Sequence, residues 1–478
     1  MAHSRDVQSW QERRANGRAA RRHTSRGAHA MIGDVDRDPI ALLRVSSERR
    51  VATLVPLRYG RMLASPFAFY RGSAIVQAHD LAGTPHSGIP IQICGDCHLA
   101  NFGGFATPER TLIFDLNDFD ETARGPWEWD LKRLIASFTV AGRHLGMGDL
   151  AADELAYRAA ESYQRHMREY AEMGVLDLWY ERITFAQLYG LVQSDAARRR
   201  IRRSIERASR RTHDSVLPKL ADKHSDGWRI RDAPPAVFHI RGKSTLIDPA
   251  DEWAALSGDR ATLLGSLMAD YMTSLTPERA ALLSQFQLQD VAFKVVGVGS
   301  VGTRCVVLLF TDHHGRPLFL QLKEASTSVV ARYTRPHGAA PENKHAGQRV
   351  VHGQRLMQAA SDPFLGFATG ALGRTFYIRQ LRDMKLSVQI DTFDDEALRS
   401  YAALCGWALA RAHAKASGLS LEISGYIGNG PRLPEALVSY GRAYADQVEK
   451  DYERFRRACR TGELHARTDA DMAADFAV

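Results

Sequence analysis

Cysteine is scarce. The chain has five, Cys94, Cys97, Cys305, Cys405 and Cys459, among 478 residues. They are too few and too scattered for a disulfide framework, which favours a reducing compartment, and a cytoplasmic location is expected. Cys94-Gly95-Asp96-Cys97 has no second pair to complete a zinc site. Long apolar runs are missing too. Stretches such as Val306-Val307-Leu308-Leu309-Phe310 fall far short of the ~18–20 residues that span a bilayer. The N-terminus is polar and Arg-rich to about residue 30, with no apolar stretch of the secretory type. There are no internal repeats, and no low-complexity linker beyond that terminus. At 45% hydrophobic and 25% charged residues, the composition is that of a soluble globular protein and excludes a fibrous or disordered chain. The length suggests two or three domains, or one bilobal unit with a large insertion.

Acidic residues are the minority, 55 against 63 Lys and Arg, for a net charge of +8. The excess is local: residues 198–211 hold eight Arg and one Glu. A basic balance points to acidic partners such as nucleotides, phosphorylated metabolites or nucleic acid. A helix carrying Arg198–Arg211 suits a polyanion. No aromatic residue interleaves with the arginines, and a solvated basic face is the plainer reading.

Along the chain, residues 1–34 read as a basic flexible tail. Ile91-Gln92-Ile93 and Leu112-Ile113-Phe114 read as short strands. From Trp127 the period changes, with Leu131, Leu134, Ile135 and Phe138 on one helix face. Residues 150–285 are mostly helical by pattern. From 289 the chain turns to strands: 291–296, 304–311 and 318–322, with a hairpin signal at 312–317. Phe376-Tyr377-Ile378 is another strand, and Tyr401 to Ala412 form a helix face. The organisation expected is a tail (1–34), a helical part (35–285), a sheet (286–385) and closing helices (386–478).

Three stretches carry chemistry. Asp96 ends a strand and Asn101 follows five residues later. That pattern suits a phosphoryl-transfer loop, in which the Asp accepts the acceptor's proton and the Asn holds Mg2+. A surface turn with a capping Asp fits the stretch equally well. Next, Asp115, Asp118, Asp120 and Glu121 place four carboxylates in seven residues. They repel one another unless a cation sits among them, and hard oxygen ligands suit Mg2+. Asn101 and Asp118 are the expected ligands, with Asp120 or Asp115 in addition. Third, Gly297-Val298-Gly299-Ser300-Val301-Gly302 lies between two strands, and the next strand carries Lys323. A glycine loop followed by a strand, not a helix, suits a hairpin folded over ATP phosphates. Gly297, Gly299, Ser300 and Gly302 are expected to cover the phosphates and Lys323 to touch them.

These residues resemble the protein-kinase-like superfamily, especially its aminoglycoside- and choline-kinase-like branch. Asp96, Asn101, Asp118 and Asp130-Leu131 match its motifs in order, with Cys94 standing where those kinases usually carry His. The glycine loop and lysine come some 200 residues after the catalytic loop, the reverse of the usual order, so the resemblance implies a circular permutation. The fold class implied is α+β: a bilobal protein-kinase-like fold, circularly permuted, with a large helical lobe and a small antiparallel-sheet lobe. The implied activity is that of an ATP- and Mg2+-dependent phosphotransferase acting on an acidic or hydroxylated substrate. The alternatives are a catalytically weak nucleotide binder, or a basic nucleic-acid-binding protein using Arg198–Arg211. In that frame Glu342, nineteen residues past Lys323, is the lysine's expected carboxylate. The adenine is expected against the main chain of Arg379–Arg382, with Gln380 at its edge.

The chain from about 35 to 455 also looks like the bacterial domain-of-unknown-function 2252 family. Its marks here include Tyr59-Gly60-Arg61-Met62, Pro66–Gly72, Gly95–Phe105, Gly125–Asp130 and Arg379–Lys385.

Overall fold

The helix that begins at Trp127 is the centre of the larger part of the molecule. The computed structural model describes residues 8–191, 195–210, 212–225, 227–255, 260–334, 345–381 and 384–476. Helix Trp127–His144 packs against helices Asp149–Glu172, Asp395–Ser417 and Arg432–Arg460. The apolar period predicts one buried face. In fact every residue from Trp127 to Gly142 is buried. Glu128, Asp130, Lys132 and Arg133 therefore enter the core with it, and buried charges need partners.

Short strands frame this part. β1 (Pro90–Ile93) pairs antiparallel with β4 (Ala123–Pro126). β2 (Phe102–Ala106) lies between β3 (Leu112–Leu116) and β13 (Leu386–Ser387). A hairpin of β5 (Ala221–His224) and β6 (Gly227–Ile230) stands apart.

The second part is a six-stranded antiparallel sheet. It comprises β7 (Val237–Phe238), β8 (Gln287–Lys294), β9 (Cys305–Thr311), β10 (Pro317–Ala325), β11 (Gly366–Thr369) and β12 (Thr375–Gln380), ordered β11-β12-β10-β9-β8-β7. Every residue of β9 and β10 is buried, which is why they read as unbroken apolar runs. The period of two assigns their faces. Val306 and Leu308 pack with Tyr271 and Leu283, while Val307 and Leu309 pack with Val216 and Ile230. The turn at 312–317 forms as predicted: Asp312 Oδ1 accepts from His314 N (2.9 Å) and Arg316 N (2.8 Å). Overall the chain is 54% helix and 15% strand. Among the described residues no helix is long and apolar enough to cross a membrane.

Two expectations about organisation differ from the structure. Helix His213–Leu220, the hairpin β5–β6 and helix Arg260–Thr273 belong to the sheet's two faces, so the sheet's territory starts near 213, not 286. Their apolar residues read as helical-core residues because nothing local shows which core they will join. Residues 8–34 also do not form a free tail. Helix Trp10–Ala20 opens with a capping box, Ser9 and Glu12, and lies along helix Ser420–Ile427. Arg13 Nε meets Glu422 Oε1 at 2.7 Å, and Arg21 Nε donates to Tyr426 O at 2.8 Å. Much of the basic surplus of this segment is thus spent on docking it.

Gly17 allows that close approach. A Cβ there would lie 1.9 Å from the Glu422 carbonyl oxygen, so the two backbones must separate to admit any side chain. Gly17→Leu is expected to cost about 1–3 kcal/mol and to make residues 8–34 sensitive to trypsin. Thermal melting with limited proteolysis measures both.

Candidate functional site

The loop after β1 is shaped from the Trp127 helix. Asp130 Oδ2 accepts from Cys94 N (2.8 Å) and Asp130 Oδ1 from Gly95 N (2.9 Å). His413 Nε2 approaches Asp130 Oδ2 at 3.1 Å, and its Nδ1 lies 2.9 Å from the Tyr163 hydroxyl. One turn on, Arg133 Nε donates to Asp96 Oδ1 at 2.8 Å. Arg133 also binds Gln77 Oε1 (2.8 Å) and Tyr70 O (2.9 Å), with its guanidinium over the Tyr70 ring. The spacing i, i+3 puts Asp130 and Arg133 on one face, so a single helix fixes both the loop's backbone and its carboxylate. Burial pushes the Asp96 carboxyl above its ordinary value, while Arg133 pulls the other way. The Asp96 side chain remains 22% exposed. Asn101 Nδ2 donates to Asp96 O (2.7 Å), and Asn101 O accepts from Asn117 N (2.8 Å). The two loops are thereby tied together.

The four carboxylates after β3 are sorted by their partners. Asp115 is fully buried, 2.5 Å from Arg411 Nη2, and accepts from Ala359 N at 2.8 Å. Glu121 Oε2 accepts from Val329 N at 2.6 Å. Asp120 forms an ion pair with Lys323 and accepts from the Tyr377 hydroxyl at 2.7 Å. Burial disfavours its charge, but the Lys323 ammonium outweighs this and leaves the carboxyl below its ordinary value. Asp118 accepts only from the Asp120 amide, at 3.2 Å, among the described residues. The repulsion read from the sequence is thus relieved for three of the four by the protein itself. Asp115 and Asp120, expected as extra metal contacts, have carboxylates already engaged.

The register of the large sheet places Cys305 and Tyr377 beside Lys323. Above it, Ser300 of the glycine loop accepts from Lys323 Nζ at 3.0 Å. Gly297 (φ +65°) and Gly302 (φ +84°) hold the loop in the left-handed region. Its carbonyls are anchored outside the sheet, Gly297 O by Arg61 Nη1 (2.7 Å) and Gly302 O by Val51 N (2.8 Å).

These elements enclose a cavity of about 1320 Å³. Asn117, Asp118, Gly297, Ser300, Lys323 and Gln380 line it. Asp96, Asn101, Asp120, Gly299 and Gly302 do not, the two aspartates being turned to Arg133 and Lys323. Lys323's carboxylate partner is Asp120. Glu342, the expected one, lies outside the described residues. Gln380 reaches the cavity, but its Nε2 donates to Asp362 Oδ1 (2.8 Å), and its backbone amide to Asp362 Oδ2. Leu381 N donates to Phe319 O (2.9 Å). The amides of 380 and 381, expected to meet a ligand, are therefore occupied. Arg382 falls outside the described residues. Sequence reasoning missed Arg71, Arg133 and Arg379. The spacing of Arg133 from Asp130 carried a signal; Arg71 and Arg379 had none beyond their place in the quoted blocks.

From the basic run, Arg203, Arg207 and Arg210 line the cavity, while Arg200 pairs with Asp394 at 2.6 Å. Cys94 Sγ, Cys97 Sγ and an Asp130 oxygen lie within 4.8 Å of one another. Asp130 is already committed to two amides and His413, and burial pushes the Cys97 thiol up to about 11, so this cluster is ordered as a buried core contact.

The class of protein defined here is an α+β molecule whose helical part and antiparallel sheet share one polar, cation-rich cavity. Residues 50–458 match the family described as "Uncharacterized protein conserved in bacteria (DUF2252)", and the chain belongs to it. No curated protein and no solved structure matches the chain.

Removing one member of a buried pair leaves an uncompensated charge. Arg133→Met is expected to lower stability by about 3–5 kcal/mol at neutral pH. The Asp96 carboxyl, raised in the fold, opposes folding above its folded pKa and ceases to do so once protonated. The deficit of the variant should therefore shrink as pH falls from 7 toward about 4. Urea melts across that range test the sign.

Proposed function

We propose that the chain is an ATP- and Mg2+-dependent phosphotransferase with a circularly permuted protein-kinase-like arrangement. One observation carries the reading: Lys323 of β10 joins Ser300 of the glycine loop to Asp120 of the acidic loop, at a cavity wall that also presents Asp118. Three segments far apart in sequence thus meet where phosphates, metal and acceptor would have to meet.

An ammonium has three donors. Asp120 and Ser300 take two, which leaves one for a phosphate oxygen. Asp118 and Asn101 suit Mg2+. Asp118 lines the cavity and accepts only from the Asp120 amide among the described residues, and Asn101 spends its Nδ2 on Asp96 O, keeping Oδ1 for a cation. Bound there, Mg2+ would neutralise charge on the phosphates. Asp96 is the group to align an acceptor hydroxyl or amine, a task that needs position more than basicity. Arg203, Arg207, Arg210 and Lys219 give the cavity a cationic wall suited to an acidic acceptor. A binding-only role is the second reading. The Arg133–Asp96 pair, which already engages the proposed acceptor-aligning carboxylate, favours it.

The test is a thermal-shift series with ATP, ADP and GTP, with and without Mg2+. Stabilisation by Mg-ATP is expected. Asp118→Ala should abolish its Mg2+ dependence, and Lys323→Met should weaken ATP about tenfold, ~1.4 kcal/mol. Asp96→Asn should keep ATP binding and lose turnover against a metabolite pool. No shift with any nucleotide removes the reading. Salt-sensitive retention on heparin in its place would favour the nucleic-acid-binding alternative.

A further inference from the structure

Arg71 lies in the last turn of the helix Pro66–Gly72, which is anchored at both ends. Ser65 caps its start, accepting from Ala68 N at 3.0 Å, and the Tyr70 hydroxyl lies within hydrogen-bond reach of Gln77 Oε1 (2.7 Å) and Arg133 O (2.8 Å) in the core. The helix end touches the glycine loop: the Arg71 carbonyl oxygen lies 3.1 Å from where a Cβ of Gly299 would be. The Arg71 side chain lines the cavity. Its Nε is buried with no hydrogen-bond partner, and among the described residues no carboxylate lies within 4.0 Å of it. Its one ring contact is with Phe67, at 5.7 Å.

The neighbouring arginines differ. Arg58 binds Ser47 Oγ (2.7 Å) and Gly72 O (2.8 Å), Arg133 binds Asp96, and Arg61 binds Asp469. A guanidinium with five donors that is partly desolvated and left without an anion is costly. Burial lowers the Arg71 pKa, and Asp96 is the acidic group that acts against this. Asp96 in turn feels both Arg71 and Asp118. Arg71 thus lines the same cavity as Gly297 and Ser300 of the glycine loop and the proposed metal-binding Asp118, with its carbonyl against Gly299.

We propose that Arg71 is a catalytic residue that binds the terminal phosphate of the nucleoside triphosphate, a cation supplied within the chain itself. This rests on the phosphotransferase reading above. In the step, the bond from the γ-phosphorus to its bridging oxygen breaks, and the electron pair leaves with the nucleoside diphosphate. The acceptor oxygen or nitrogen bonds to phosphorus, and its proton passes to Asp96. Negative charge on the three oxygens of the transferred group is what Arg71 meets.

The experiment is calorimetric titration of the full chain with Mg-ADP and with the non-hydrolysable Mg-AMP-PNP, for wild type, Arg71→Met and Arg71→Lys. Arg71→Met should bind AMP-PNP at least tenfold more weakly and ADP within twofold of wild type. Its ligand-free Tm should not fall, since an unpaired buried charge has been removed. Arg71→Lys should recover part of the AMP-PNP affinity while phosphoryl transfer stays at least a hundredfold down, because an ammonium lacks the planar fork. Equal losses for the two nucleotides, no loss for either, or a lowered ligand-free Tm would overturn the assignment of Arg71 alone. Wild type binding neither nucleotide would overturn it together with the phosphotransferase reading.

Discussion

A charge placed inside a protein must be answered there, and the helix Trp127–His144 brings four inside. Two of them, Asp130 and Arg133, are answered by the loop that follows β1, through the Cys94 and Gly95 amides and the Asp96 carboxylate. The loop has its shape because the helix requires it, and the helix can be buried because the loop complies. His413 extends this dependence to helix Asp395–Ser417, and Arg411 on the same helix fixes Asp115. A loop held this way keeps its geometry without a ligand, which is what a site that works by positioning needs.

The same economy governs the acidic loop. Each of its carboxylates faces a different neighbour: Arg411, Lys323, the Val329 amide, and the cavity. The Lys323–Asp120 pair is one of several polar ties between the two parts of the molecule, with Arg379 Nη1 to Asn117 O (2.9 Å) and Val51 N to Gly302 O (2.8 Å), and it lies beside the cavity that both enclose. An anion brought near Lys323 would meet an ammonium that Asp120 already holds.

The sheet was the most legible part. The runs 304–311 and 318–322 were strands with a tight turn between them, because full burial on both faces leaves an unbroken apolar signature. The loops at 95–101, 115–121 and 297–302 were also recognisable as unusual, since glycine and clustered carboxylates have strong local consequences. What stayed hidden was pairing at long range. Lys323 and Asp120 are 203 positions apart, and nothing local distinguishes Asp120 from Asp118 or Glu342 as the partner. The helix face read at Leu131, Leu134, Ile135 and Phe138 is buried, but the burial of the rest of that helix was not legible, because its polar residues meet partners in the core rather than water. The basic N-terminal segment looked unstructured because the partners that hold it, Glu422 and Tyr426, lie some 400 residues away. Residues 213–285 looked like part of the helical core because hydrophobic periodicity names a face and not the surface it will cover.

The helical core is assembled from both ends of the chain. Helices Trp127–His144 and Asp149–Glu172 are closed over by Asp395–Ser417 and Arg432–Arg460, and the whole six-stranded sheet is made in between. During synthesis at about 5–20 residues per second, the Trp127 helix emerges well before the surfaces that enclose it, by about 15–60 seconds. Throughout that interval the face that Asp395–Ser417 and Arg432–Arg460 will cover stays open, while Asp130 and Arg133 already have their partners in the earlier-made residues 94–96. The sheet, being contiguous from Val237 to Gln380, can pair as soon as it has left the ribosome. The helical core can therefore be completed only after the inserted sheet has been made.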